Sequence, residues 1–360
     1  MPEPSHAPAI ETLELDAQGR EGLILDSALP VLAAWAKAIR VVNFRPSMGV
    51  SGLSARDVAR LRTLGLAAAS KATGLFEGAN DFRLGFPVDG NIGADTSLGV
   101  EADLGGHPLA PVVSDLAIAS FGLPPGRSLT HRLRGFTHLR GASAQGYGAR
   151  ILAALGRECG LDLAITFEAL GFEPQGLGSI ALLAARHPAP AASAVDWTDR
   201  GVFRAVHVTL GGVRPRVGQF DRLEAALREA LWESRRVEPA VTRLVTPGVD
   251  LGAFLQVDVE FERGGATFVD VVSRSSAPLP LARRAVRRVL KFWDSGATCD
   301  AVTGLLVFAS ALAARAEFAL TLVPSGELSL ACSLWRDIGA RLEEVETRGL
   351  VVLKTPGRRD

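Results

Sequence analysis

Apolar and polar positions alternate along this chain in short blocks, and the blocks read as the strands and helices of a mixed fold. Leu13 to Leu15 reads as a strand and Gln18 to Gly22 as a polar turn. Leu23 to Ala38 has helical apolar spacing with Pro30 inside it, which predicts a kink or a late start. Ile39 to Phe44 is a strand. Ser54 and Asp57 have the spacing of a capping box that opens a helix running through Ala72, stopped by Gly74. Phe82 to Phe86 and Leu98 to Leu104 read as strands around a glycine-rich turn, and Leu116 to Phe121 is an apolar run. His131 to Phe136 alternates as a strand, Ala149 to Cys159 is helical, and Leu161 to Phe167 and Ser179 to Ala184 are strands.

Between those last two strands lies Gly171-Phe172-Glu173-Pro174-Gln175-Gly176-Leu177-Gly178. Its glycines permit positive φ and close backbone approach, so the stretch fits either a phosphate-cradling loop or the corner between two strands. No Lys, no Ser/Thr and no helix start stands at the spacing a phosphate loop needs, which favours the corner. The element order β-α-β-α-β-β occurs here and can be read again over the first hundred residues.

Pro188 to Ala194 is a linker-like change in composition. Beyond it, Phe203 to Leu210 is a strand, and Phe220, Leu223, Leu227 and Leu231 share one helical face. Phe254 to Phe261 and Ala266 to Val272 form a hairpin about a Gly-Gly turn. This predicts a separate β-α-β-β unit over residues 201–275, inserted between core segments 1–200 and 276–360. Helices at Leu281 to Trp293 and Asp300 to Arg315, a strand at Glu317 to Leu322, a helix at Ser333 to Val345 and a strand at Leu350 to Leu353 complete the chain. The class is α+β.

Composition narrows the functional classes. The 360 residues are 48% hydrophobic, enough for a large core, and 39 Lys plus Arg balance 39 Asp plus Glu. With a pI near 7.0, no global basic field advertises nucleic acid, so any RNA contact would be local. Cys159, Cys299 and Cys332 are scattered and no His stands at metal spacing, so neither a disulfide framework nor a metal site is expected. The longest apolar run, Val302 to Ala314, is too short to span a bilayer, and the polar start is no signal peptide. A soluble protein with no membrane partner is expected.

Candidate binding chemistry is sparse. Arg283, Arg287 and Lys291 form an i, i+4 stripe on one helix, with Arg284 and Arg288 beside it. The stripe suits phosphates or an acidic partner, and a solvated outer face accounts for the same pattern. His131 and His138 flank a strand end with no nucleophile context. Neither a Rossmann fingerprint nor a P-loop occurs.

Taken together, these stretches resemble the RNA 3′-terminal phosphate cyclase family over almost the whole chain, from about Leu13 to Leu353. Asn43-Phe44-Arg45 followed by Gly52-Leu53 is similar to the family's Asn-Ile-Arg…Pro-Gly-Leu, and Gly171 to Gly178 to its Gly-Phe-Tyr-Pro-x-Gly-Gly-Gly. The resemblance implies a core of three β-α-β-α-β-β repeats, an architecture related to the enolpyruvyl transferases, plus a small inserted domain at 201–275. Active members carry a histidine nucleophile near the C-terminus, adenylylated by ATP. The matching segment, Ser329-Leu330-Ala331-Cys332-Ser333-Leu334-Trp335, has none. The N-terminal signature is reduced to Arg20-Glu21-Gly22-Leu23-Ile24, and the Arg expected after Ile-Leu is Asp26.

The chain is more similar to the non-catalytic eukaryotic branch that acts in small-subunit ribosome biogenesis. Arg134-Gly135-Phe136-Thr137-His138 is similar to that branch's Arg-Gly-Val-Thr-Asn, and Leu334-Trp335-Arg336-Asp337-Ile338 to its Phe-Leu-Arg-Asp-Ile. Asp57 to Arg62 is similar to its Tyr-Glu-x-x-x-Leu-Arg. The resemblance implies no cofactor and no catalytic residue. It implies a GTPase partner, contact with pre-rRNA or a small nucleolar ribonucleoprotein within the processome, and a nucleolar location. Arg336, Asp337, Arg45, Arg134, Arg283, Arg287 and Lys291 are the binding candidates. A pre-rRNA endonuclease role has been proposed for the branch through Arg-Asp-x-Lys. Arg336 and Asp337 are present, but Gly339 stands at the Lys position. An ATP-dependent cyclase in the cytoplasm and a pre-rRNA endonuclease are the alternatives.

Overall fold

The computed structural model describes residues 12–45, 52–68, 70–85, 99–138, 149–188, 194–246, 248, 251–272 and 277–356. The glycine-rich turn before Leu98 and most of the Pro188 to Ala194 linker lie outside them. The first unit begins with β1 (Leu13–Asp16). A helical stretch follows: α1 (Glu21–Leu23), a π-turn over Ile24–Ala28, and α2 (Leu29–Ala34). Pro30 lacks the amide that would bond the Asp26 carbonyl, and the widened π-turn directly precedes it, so the helix continues without breaking. Then come β2 (Ile39–Val42), α3 (Ala55–Ala67), β3 (Lys71–Thr73) and β4 (Phe82–Gly85). The sheet order is β1-β2-β4-β3, with only the β1–β2 pair parallel.

The second unit repeats this plan with β5 (Glu101–Pro108), α4 (Ala110–Ser120), β6 (Ser128–Phe136), α5 (Ala149–Glu158), β7 (Leu161–Ala169) and β8 (Gly178–Arg186). Its order, β5-β6-β8-β7, again has a parallel first pair. The apolar run at Leu116 to Phe121 belongs to helix α4. A third unit opens with β9 (Ala194–Trp197), and the chain then leaves to build a sheet of its own: β10 (Phe203–Val213), α6 (Gln219–Arg235), β11 (Ala240–Val245), β12 (Gly252–Phe261), β13 (Gly265–Val272) and α7 (Pro278–Ser295). It returns as α8 (Ala301–Ala314), β14 (Glu317–Leu322), α9 (Gly326–Asp337), β15 (Glu343–Thr347) and β16 (Leu350–Pro356). In the third sheet β9 pairs parallel with β14, followed by β16 and β15, so the same first-second-fourth-third order appears again. The intervening sheet is ordered β11-β10-β12-β13. The mixed α+β class expected from the pattern is what the fold has.

Helix α8 is apolar on nearly every side and is buried accordingly; it packs on α2, α4, α5 and β14 at the centre of the largest core. Among the described residues no helix is long and apolar enough to cross a membrane. A second core lies between one face of the β10–β13 sheet and helices α6 and α7, running from Val206 to Phe292. A small third cluster, Leu170, Phe172, Val213 and Phe254, joins the β7–β8 turn to that sheet.

Two boundaries differ from expectation. The capping box at Ser54 and Asp57 forms as expected, with both reciprocal bonds, but helix α3 ends at Ala67 and Lys71–Thr73 is strand β3. The helix expected over Ser333 to Val345 is α9, which starts seven residues earlier, at Gly326, under a Ser325 cap whose Oγ accepts the Leu328 N–H. It stops before Gly339, which takes a φ of +88°, and the chain re-enters as β15.

Candidate functional site

Three of the stretches singled out in the sequence, around Arg20, Asn43 and Asp337, come together at one corner of the first unit. Asp16 ends β1, and its carbonyl accepts from Arg20 Nη2 at 2.9 Å, while its Oδ1 accepts from Asn43 Nδ2 at 3.3 Å. Arg20 also forms an ion pair with Asp337 at the end of α9. The reduced N-terminal signature, the Asn43-Phe44-Arg45 segment and the Leu334 to Ile338 segment therefore share one polar cluster.

Within that corner the charges are paired internally. Asp337 is taken by Arg20, and the neighbouring Arg336 by Glu344 on β15. Adjacent residues of a helix point about 100° apart, and these two are tied to different elements, so they do not converge on a common reacting position. Both pairs are exposed, and exposed pairs contribute little to stability, so partner groups can exchange for them at small cost. Cys332, on α9, is fully buried, and burial pushes its thiol up to about 12. Ser329 and Ser333 are exposed on the same helix. Among the described residues no group of three His, Cys, Asp or Glu side chains is placed to hold a metal.

Arg45 follows β2 in the left-handed region, φ +50°, as does Asn43 at +54°. Its guanidinium lies over the Phe44 ring at 5.0 Å and meets Asp57 Oδ2 at 2.6 Å. Burial works to raise the Asp57 carboxyl, but the Ser54 and Arg45 hydrogen bonds hold it below its usual range. Gly52 lies so close to the next loop that a Cβ would meet the Gly78 carbonyl at 2.3 Å. This motif thus fastens β2 to the capped start of α3.

Three residues on from Asp57, Arg60 is buried. It meets Asp115 of α4 through Nε and Nη2, each at 2.6 Å, and Asp26 of the π-turn through Nη1 at 2.6 Å. Those two carboxylates hold the guanidinium charged well above its ordinary range. Burial pushes Asp115 up to about 6 against the pull of Arg60. Asp26 is thus a ligand of a buried arginine. Local sequence pattern does not pair residues so far apart.

Arg134 lies exposed on β6, with no ion-pair partner among the described residues. The residues after it act structurally. The Thr137 and His138 amides both donate to the Gly171 carbonyl, the Gly171 amide donates to Thr137 Oγ1 at 3.0 Å, and His138 stacks on Phe254 at 3.8 Å. On α7 the basic stripe divides. Arg284 and Arg288 reach Asp270 at 3.1 and 2.7 Å, leaving Arg283, Arg287 and Lys291 exposed without ion pairs among the described residues. Of the seven expected residues, only those three present one continuous surface. A cavity lined in part by Arg214 and Arg216, neither of which stands in a sequence motif, has none of the seven in its described lining. The chain matches no model of a known protein family and no curated protein.

Proposed function

We propose that the chain carries the three-repeat core of the RNA 3′-terminal phosphate cyclase family, with its inserted domain built around the β10–β13 sheet. We propose further that it acts as a non-catalytic assembly factor of the small ribosomal subunit in 18S rRNA maturation. In this reading the Asp16, Arg20, Asn43 and Asp337 corner, with Arg336 at its edge, docks a GTPase in the nucleolus. Arg283, Arg287 and Lys291 meet pre-rRNA or a small nucleolar ribonucleoprotein. The observation that carries the proposal is the convergence of three family-like stretches, around Arg20, Asn43 and Asp337, on one corner whose charges are paired rather than directed at a reacting centre. The coincidence of three sheets in first-second-fourth-third order, with the extra sheet inserted after the first strand of the third unit, supports the architecture.

Affinity capture of the tagged protein from a nucleolar extract is the test. The expected eluate contains a GTPase and small-subunit precursor RNA, with the GTPase lost from Arg336→Ala while the urea-unfolding midpoint is unchanged. An eluate with neither GTPase nor precursor RNA overturns the proposal. An acid-labile adenylylated protein after incubation with labelled ATP, or cleavage of a pre-rRNA fragment abolished by Asp337→Asn, would replace it with the corresponding enzyme.

A further inference from the structure

A cavity of about 200 Å3 opens where the β7–β8 turn meets the β10–β13 sheet. One wall comes from His138, Phe172 and Glu173, and the other from the β10–α6 connection, the start of β12 and the end of β13.

The inner lining is apolar and aromatic. Phe172 is held in the third core cluster with Phe254, and Ala253 and Val272 are buried beside it. Gly252 makes this packing possible, since a Cβ there would lie 2.1 Å from the Phe172 ring. His138, stacked on Phe254, is lowered to about 3 by burial and carries no charge at neutral pH. The inner wall therefore favours a flat or apolar body and contributes no charge.

The outer lining is cationic. Arg214 and Arg216 are exposed, and neither guanidinium has an ion-pair or hydrogen-bond partner among the described residues. Three other arginines of the same unit are engaged, Arg228 and Arg243 with Glu224 and Arg235 with Asp294, while Arg204 and Arg222 are exposed without ion pairs among the described residues. The loop bearing the free pair is nonetheless fixed. The Arg216 amide donates to Gln219 Oε1 at 3.1 Å, and the Gln219 amide donates back to the Arg216 carbonyl at 2.9 Å. Arg214 is held at φ +49°, a conformation that costs a bulky residue free energy and that clusters at ligand sites. Among the described lining residues Glu173 is the one carboxylate, so with both arginines these residues carry a net single positive charge.

We infer that this cavity binds a small organic oxyanion, a phosphate monoester or carboxylate, carrying a flat or apolar body. The oxyanion sits at Arg214 and Arg216, whose planar forks suit bidentate contact with phosphate or carboxylate. The body lies against Phe172, Ala253 and Val272. Glu173 disfavours a second anionic group and accepts from a hydrogen-bond donor. The site stands independently of the assembly role proposed above.

Isothermal titration calorimetry of the full chain with phenyl phosphate, benzoate and inorganic phosphate tests the inference, the first two probes separating phosphate from carboxylate heads. Phenyl phosphate or benzoate should bind at least about tenfold more tightly than inorganic phosphate, because only they use the apolar wall. Arg214→Ala with Arg216→Ala should weaken that binding at least about tenfold. Glu173→Gln should strengthen it, a change of opposite sign that misfolding would not produce. Arg83→Ala, on β4 of the first unit and outside the lining, should leave it unchanged. No binding of either organic probe at millimolar concentration, equal binding of inorganic phosphate, or full affinity in the double Arg variant overturns the site.

Discussion

Arg60 has the most demanding surroundings of any residue in the fold, because a charge buried between two units must be fully paired to be tolerated. Its partner Asp115 is 1% exposed and 55 residues away in sequence. Arg60→Ala leaves that carboxylate uncompensated, and urea denaturation should show a loss of about 3–5 kcal/mol. Replacing Arg60 and Asp115 together by leucine should recover most of it, since no buried charge is then stranded. In sequence, Arg60 is legible only as part of a family-like run from Asp57 to Arg62, because burial is set by a partner that local pattern does not contain. His131 offers a second test at this scale. Its Nδ1 accepts from the Val100 amide at 3.1 Å, and burial lowers it from its ordinary 6.5 to about 4. The folded state therefore keeps it neutral while the unfolded chain takes up a proton below pH 6.5. Its stabilising contribution is complete above that pH and is lost as pH falls toward 4, at about 1.4 kcal/mol per pH unit. Urea midpoints of the parent and His131→Asn should differ most near pH 7 and converge on acidification; parallel curves would mean the imidazole does not titrate as buried.

At the scale of elements, the glycine-rich stretch before β8 was readable as a corner, and the reason lies in backbone approach. A Cβ on Gly178 would sit 2.5 Å from the Gly171 amide nitrogen and 2.6 Å from Thr137 Cγ2. Gly178→Ala must therefore displace backbone, and it should destabilise by about 1–3 kcal/mol in chemical denaturation. Gly326→Ala, in the first turn of α9 with nothing within 4 Å, should lose no stability. The elements that escaped sequence reading share one physical property. Strands β3, β9, β11 and β15 are all at the edges of their sheets. An edge strand need not bury a full face, so its period-two signal fades; every residue of β15 is exposed. The inner strands β6, β8, β10 and β12 alternate or run apolar and are legible, and the edge strand β13 is legible through its hairpin with β12. The same reasoning explains the overrun of α9, since Glu343-Glu344-Val345 is as compatible with a charged helix as with an exposed edge strand.

At the scale of the whole molecule, three sheets share one strand order, and what the sequence could convey of this was element order, because register depends on partners far along the chain. Charge is also a whole-molecule property. With 39 cationic and 39 acidic side chains the chain has no net field to draw a polyanion, so any nucleic-acid contact depends on local imbalance. Helix α7 is where that imbalance survives. Asp270 takes up Arg284 and Arg288, while Arg283, Arg287 and Lys291, one turn apart along the exposed face, are left to solvent or to a ligand. Each phosphate neutralised on a single strand contributes about −0.7 to the slope of log K against log salt. Changing all three residues to alanine should therefore flatten the slope for single-stranded RNA by about 2, while shifting stability by no more than about 0.5 kcal/mol. Arg284→Ala with Arg288→Ala is the matched control: it removes two positive charges already paired to Asp270 and should leave the slope nearly unchanged. Equal slopes in the parent and the triple variant would reduce the stripe to a solvated outer face. An equal effect from the control would show that RNA senses total charge rather than this helix.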